Sequence, residues 1–224
     1  MAHWRHLAPP VRAWFTRRVV VIGAESTGTT TLARALAEAL RRRGGVWANT
    51  RWVPEYGREL TARKLAALRE VNSTATVLDL SWSRNDFVEV ADAQNRAEDE
   101  AARDGAPILV CDTDARATGV WEERYLGSAS PLTLAAARRP DLYLLTDHDG
   151  VLFEDDGLRD GEHLRRWMTE RFRDVLRDSD VPVREMSGPH QVRLAAARSA
   201  CDALLAQGWP LAPPLQQPAP GRAA

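Results

Sequence analysis

Two glycines five positions apart, Gly23 and Gly28, join an apolar run to an amphipathic stretch, and this junction constrains the fold more than any other part of the chain. Residues 19–22, Val-Val-Val-Ile, suit a short buried parallel strand. Beyond the second glycine, Leu32, Leu36 and Leu40 recur every four residues and give a helix its core stripe. A strand, a glycine-bearing loop and a helix in that order turn successive backbone N–H groups toward one point. The helix N-terminus adds about half a positive charge there. Such a nest holds an anion without help from a side chain. The segment Gly23-Ala24-Glu25-Ser26-Thr27-Gly28-Thr29-Thr30 therefore reads as a phosphate-binding loop of the spacing G-x-x-x-x-G-K-[ST].

Thr29 stands where that pattern has its lysine. A charge pair near 4 Å at an effective dielectric of about 20 is worth about 4 kcal/mol. Losing all of it from a transition state would slow a reaction on the order of a thousandfold. A replacement cation is therefore expected. A hydroxyl after the lysine position normally sits on Mg²⁺; Thr30 supplies one, with Thr31 the alternative if the register slips. Taken alone, the loop is also compatible with a plain tight connection.

Strands are expected at 19–22, 46–53, 108–111, 142–145 and 181–184, between helices at 55–69, 85–103, 115–125, 131–138, 162–177 and 190–206. That alternation argues for an α/β fold, a parallel sheet of about five strands covered by helices on both faces. One domain, 18–208, is expected, after a loosely attached extension, 1–17, and before a Pro-rich disordered tail, 209–224. Ligands of such sheets lie beyond the carboxyl ends of the strands.

Polar clusters fall at those ends. An apolar strand ends in Asp112-Thr113-Asp114. An acid there holds Mg²⁺ or takes a proton from an attacking hydroxyl; Asp114 is equally able to cap the next helix. Glu55 and Arg58, in Pro54-Glu55-Tyr56-Gly57-Arg58-Glu59, face the cleft or simply solvate a helix start. Asp155-Asp156-Gly157-Leu158-Arg159 reads as a lid whose arginine stabilises phosphoryl charge, or as a surface turn. Arg159 is the natural substitute for the missing ammonium. Trp52, Tyr56, Trp82, Phe87, Trp121 and Tyr125 can offer a face to a flat base.

Composition removes other classes. Formal net charge is −1, so no global field draws nucleic acid or an acidic membrane. Cys111 and Cys201 have no metal-ligand spacing, and no apolar stretch approaches membrane-spanning length. A small-molecule partner and a cytoplasmic location are expected. Lys64 is the only lysine, every other basic side chain being arginine. That bias does not explain Thr29, since it would exchange lysine for arginine.

Together GAESTG (23–28), PEYGRE (54–59), CDTD (111–114) and DDGLR (155–159) resemble the ribosylnicotinamide kinase domain of the NadR family, over residues 18–207. The resemblance implies a P-loop kinase-like fold, with ATP and Mg²⁺ as cofactors. It also implies phosphorylation of nicotinamide riboside on its 5′-hydroxyl, giving nicotinamide mononucleotide in NAD salvage. Carried over, Gly23, Ala24, Glu25, Ser26, Thr27, Gly28, Thr29, Thr30 and Thr31 would hold ATP, and Thr30 and Asp112 the metal. Glu55, Tyr56, Arg58 and Asp114 would line the riboside, and Arg159 would close from the lid. Asp112, or else Glu55, would assist deprotonation. Thr29 departs from the family pattern and favours an alternative, a regulator that binds ATP or an NAD precursor without turning it over.

Overall fold

The computed structural model describes residues 3–154 and 156–209; Asp155 and the expected tail beyond Trp209 lie outside them. In chain order the elements are α1 (Pro9–Phe15), β1 (Arg17–Gly23), α2 (Thr29–Arg41), β2 (Trp52–Val53), α3 (Tyr56–Val71), α4 (Arg84–Asp104), β3 (Ile108–Asp112), α5 (Ala115–Leu126), α6 (Pro131–Ala136), β4 (Leu142–Thr146), α7 (Arg165–Arg177), β5 (Val183–Met186) and α8 (His190–Ala206). The strands form one parallel sheet in the order β2-β3-β1-β4-β5.

The central strands β1, β3 and β4 carry near-continuous buried apolar runs because both faces of the sheet are covered there, whereas the edge strand β5 exposes Arg184 and Glu185. Val19 and Val21 of β1 pack with Leu32, Leu36 and Leu40 of α2 and with Cys201 and Leu204 of α8. Val20 and Ile22 point the other way, into a core with Leu109, Tyr143, Met168 and Phe172. Leu36 and Leu40 are fully buried, each contributing about 2 kcal/mol on transfer from water. The central pairings set Val21 beside Asp112 and Gly23 beside Thr146. Thus the loop after β1 and the acid ending β3 open into one crevice.

Two expectations are corrected. The second strand is only Trp52–Val53, and Gly45–Asn49 forms a 3-10 turn instead. Gly44 and Gly45 both take positive φ, and Trp47 accepts from the Thr50 amide and hydroxyl, so the backbone closes on itself before it can pair. The N-terminal extension is not loose. Trp4 is buried and donates its indole N–H to Gly105 O at 3.0 Å, while Arg12 of α1 donates to Arg103 O at 3.2 Å. Among the described residues no helix is long and apolar enough to cross a membrane.

Candidate active site

The loop after β1 is shaped by contacts that admit few substitutes. A Cβ at Gly23 would stand 2.1 Å from Thr146 Oγ1, so β1 and β4 approach only because a glycine is there. Thr27 turns its hydroxyl downward, to Ala24 O at 2.7 Å and Thr146 Oγ1 at 2.6 Å. It holds the loop from beneath rather than facing a ligand. Gly28 takes φ 85°, which glycine tolerates, and α2 starts at the next residue. No side chain caps the first turn of α2, leaving its amides for an anion. Buried Arg193 of α8 donates to Thr27 O at 2.8 Å and Asp147 O at 3.1 Å, pinning the loop to the end of β4. Ser26 and Thr113, both on the cleft wall, carry positive φ of 55° and 69°, a conformation rare away from glycine.

Gly23, Ala24, Glu25, Ser26, Thr29, Thr30, Glu55, Arg58 and Arg159 all border one cleft. Asp112 lies behind Thr29 and Thr30, 1% exposed, and its Oδ1 has no hydrogen-bond partner among the described residues. Burial pushes its carboxyl up to about 6, against the pull of the Thr30 and Thr29 hydroxyls and of Arg58. Glu55, the residue before α3, is raised to about 7 by burial and then by the Asp112 charge, which Arg58 opposes. Two neighbouring acids thus hold their protons unusually well.

Other expected site residues lie elsewhere. Thr31 is exposed on α2, so the hydroxyl register does not slip. Asp114 caps α5, accepting from Ala117 N at 2.9 Å and from Tyr143 OH at 2.6 Å; both its oxygens are engaged, and it lies off the cleft wall. Tyr56 also faces away: its hydroxyl donates to Glu89 Oε1 at 3.0 Å and accepts from Arg63 at 3.3 Å, between α3 and α4.

The described residues of the segment expected as a lid lie on the loop. Ser26 Oγ accepts from the Glu154 amide at 2.7 Å and from Arg159 Nη1 at 2.9 Å. Arg58 pairs with Asp156, tying the start of α3 to the same lid. A second cation, Arg165 of α7, donates to Ser26 O at 3.1 Å. Sequence reasoning missed Arg165 and Arg193, whose arginine-rich surroundings single out neither.

Trp82, Phe87, Trp121 and Tyr125 also line the cleft, neighbouring ring centroids lying 5.3–6.4 Å apart. Trp52 instead stacks under Arg34, with its centroid 5.4 Å away. Sequence reasoning also missed Arg124 and Asp160, which meet Glu25 at the aromatic wall.

An amide nest at the end of β1, a buried acid at the end of β3 and an arginine-bearing lid define a P-loop kinase-like protein. A family model described as an AAA domain matches residues 18–193, and the chain belongs to that family. It is 25% identical over 159 residues to the trifunctional NAD biosynthesis/regulator protein NadR of Escherichia coli (strain K12), covering 70% of this chain and 34% of the relative. A solved NadR protein in complex with NR superposes with a TM-score of 0.69 at 25% identity, over 91% of this chain and 55% of that one. A NadR protein in complex with NAD and AMP-PNP gives 0.65 at 22% identity, over 90% and 53%. Thymidylate kinase from Ehrlichia chaffeensis gives 0.57 at 15% identity over 83% and 98%, a likeness of fold alone. These matches bear out the NadR resemblance read from the motifs. The chain spans about a third of the curated relative and about half of each solved NadR chain.

Proposed function

We propose that this chain transfers the γ-phosphoryl group of ATP to the 5′-hydroxyl of nicotinamide riboside, giving nicotinamide mononucleotide. The observation that carries this reading is the open first turn of α2 beside two acids, buried Asp112 and half-buried Glu55, whose surroundings suit different tasks. Asp112 Oδ1 is buried and unpartnered beside the Thr30 hydroxyl, a hard oxygen pair that fits Mg²⁺. Thr30 and Asp112 would hold the ion, which when bound neutralises charge between the terminal phosphates.

Glu55 borders the cleft directly, and its pKa of about 7 matches the working range of a general base. This moves the proton acceptor from Asp112 to Glu55. Once ionised, Glu55 takes the hydroxyl proton as the oxygen attacks. Arg159 of the lid takes the lysine's electrostatic role, with Arg165 behind it: both already hydrogen-bond to Ser26 of the loop. A guanidinium can hold two phosphoryl oxygens at once. The aromatic wall receives the flat ring.

Thr29 favours one competing reading, a regulator that binds ATP or an NAD precursor without turnover. Purified protein with ATP, Mg²⁺ and a nucleoside panel separates the two, the product being identified by mass spectrometry and NMR. A 5′-phosphorylated nicotinamide riboside is expected. Tight ATP binding with no product from any nucleoside would leave the regulator.

A further inference from the structure

We infer that Arg193 is a positioning residue: from beneath the loop it aims the Gly28 amide at the nucleotide phosphates and supplies, for binding, part of the positive charge that Thr29 lacks. Arg193 lies in the first turn of α8 and is 4% exposed. Its guanidinium donates to three carbonyls on three segments: Thr27 O of the loop at 2.8 Å, Asp147 O after β4 at 3.1 Å and Gly188 O after β5 at 2.7 Å. Asp147 is the acid whose charge it feels. That carboxylate is turned to other cationic groups, His148 Nδ1 at 3.2 Å and Arg173 at 3.8 Å. Arg193 is thus a buried cation hydrogen-bonded to carbonyls alone. A neutral amide side chain can pin a carbonyl without the cost of burying a charge. The charge therefore has a use beyond pinning.

The Thr27–Gly28 peptide transmits it. In a trans peptide the C=O and the following N–H point opposite ways. With Thr27 O turned inward to a buried guanidinium, the Gly28 N–H is turned outward. It has no acceptor among the described residues, and a Cβ built at Gly28 would meet nothing within 4 Å. The next residue begins α2, whose first turn has no side-chain cap. A cation on the carbonyl oxygen polarises the peptide and makes its N–H a stronger donor. Direction and strength are thereby set on one amide, at the helix end where an anion binds.

Arg159 reaches the same loop from the lid, through Ser26 Oγ at 2.9 Å. The work of the missing ammonium is divided between the two arginines. A fixed, buried cation acts alike on bound ATP and on the transition state, so it serves affinity. A lid cation acts on the charge that develops during transfer, so it serves kcat.

This inference rests on the reading of the loop as the ATP site. Titration calorimetry with inorganic tripolyphosphate, and with ATP and Mg²⁺, would compare the native chain with Arg193→Gln and Arg193→Lys. Each variant would also be made with Thr29→Lys added. Arg193→Gln should weaken both ligands by about thirtyfold or more. Arg193→Lys keeps the charge but cannot span three carbonyls, and should weaken them by about fivefold. Thr29→Lys should restore about tenfold to the Arg193→Gln chain, a repair that a merely structural fault would not accept. In turnover, the KM for ATP should rise with the loss of affinity while kcat falls less than about fivefold, the reverse of Arg159→Ala. Should Arg193→Gln show no cooperative melting, Arg193→Lys and its Thr29→Lys double variant carry the comparison. Native affinity in the variants, or a loss that Thr29→Lys leaves unrepaired, would overturn the assignment of Arg193. A native chain that binds neither tripolyphosphate nor ATP would remove the phosphate-loop reading itself, and this inference with it.

Discussion

The two sides of the cleft are built from different materials. On the loop side, backbone does the holding: the open amides of α2, the close approach at Gly23, and carbonyls pinned by Arg193 and Arg165. On the side formed by α3, α5 and the lid, side chains do it: Glu55, Arg58, Arg159 and four aromatic rings. Backbone geometry survives most substitutions, so the loop side can lose its lysine and keep its shape. Side-chain geometry disappears with the side chain. Losses should therefore be severe wherever a single carboxyl or guanidinium carries a role, and small at Thr29.

The largest effect is expected at Asp112, where the two sides meet. Asp112→Asn should reduce phosphoryl transfer to background while leaving the melting curve close to native, as a coupled ATPase assay and calorimetry would record. Near-normal turnover in a folded variant would end its role. Glu55→Gln should cost about a thousandfold. In the native chain kcat/KM should climb with pH through about 7, because Glu55 must be ionised to take the proton. The variant should lose that rise, and an unchanged profile would return the base to Asp112.

Arg159→Ala should lower kcat by about a hundredfold and leave riboside affinity nearly unchanged, as for a contact made in the transition state. The reciprocal change, Thr29→Lys, should alter kcat by less than about threefold, since its charge duplicates one already present. Turnover found only in Thr29→Lys would reverse the comparison and favour the regulator.

The smallest effect lies away from the cleft wall. Glu98 of α4 is 2% exposed, with Oε1 unpartnered among the described residues. Burial pushes it up to about 8, with the Asp114 charge adding to the shift. Its folded-state pKa lies above the ordinary 4.5, so the folded chain holds more protons between those values. Stability from this group is thus present at low pH and lost as pH rises toward about 8. Glu98→Gln should raise Tm by ~3 °C at pH 8 and bring no gain at pH 5, by scanning calorimetry at both values.

Much of the sheet was legible because β1, β3 and β4 are buried on both faces and read as unbroken apolar runs. The last helix falls at His190–Ala206, as its spacing predicts. β2 was overestimated because its flanking turn also carries apolar side chains, which pack on the core without pairing. Loop, acids and lid arginine were legible as motifs, since each is contiguous. The Glu25–Arg124–Asp160 cluster was not, because its members are far apart in sequence and only the fold brings them together. Asp114 shows the reverse failure: a motif position adjoining the cleft, consumed by a helix cap and a tyrosine.

Trp209 donates its indole N–H to Phe15 O at 2.7 Å and lies under the Arg17 guanidinium, 5.4 Å from its ring centroid. The earliest helix and the last described residue are therefore clasped at the amino end of β1, across the sheet from the cleft. Trp209, the last described residue, thus lies at the rear of the molecule, away from the cleft. Immobilisation through that rear face would present the cleft to solution, which makes surface-based binding measurements on this chain practical.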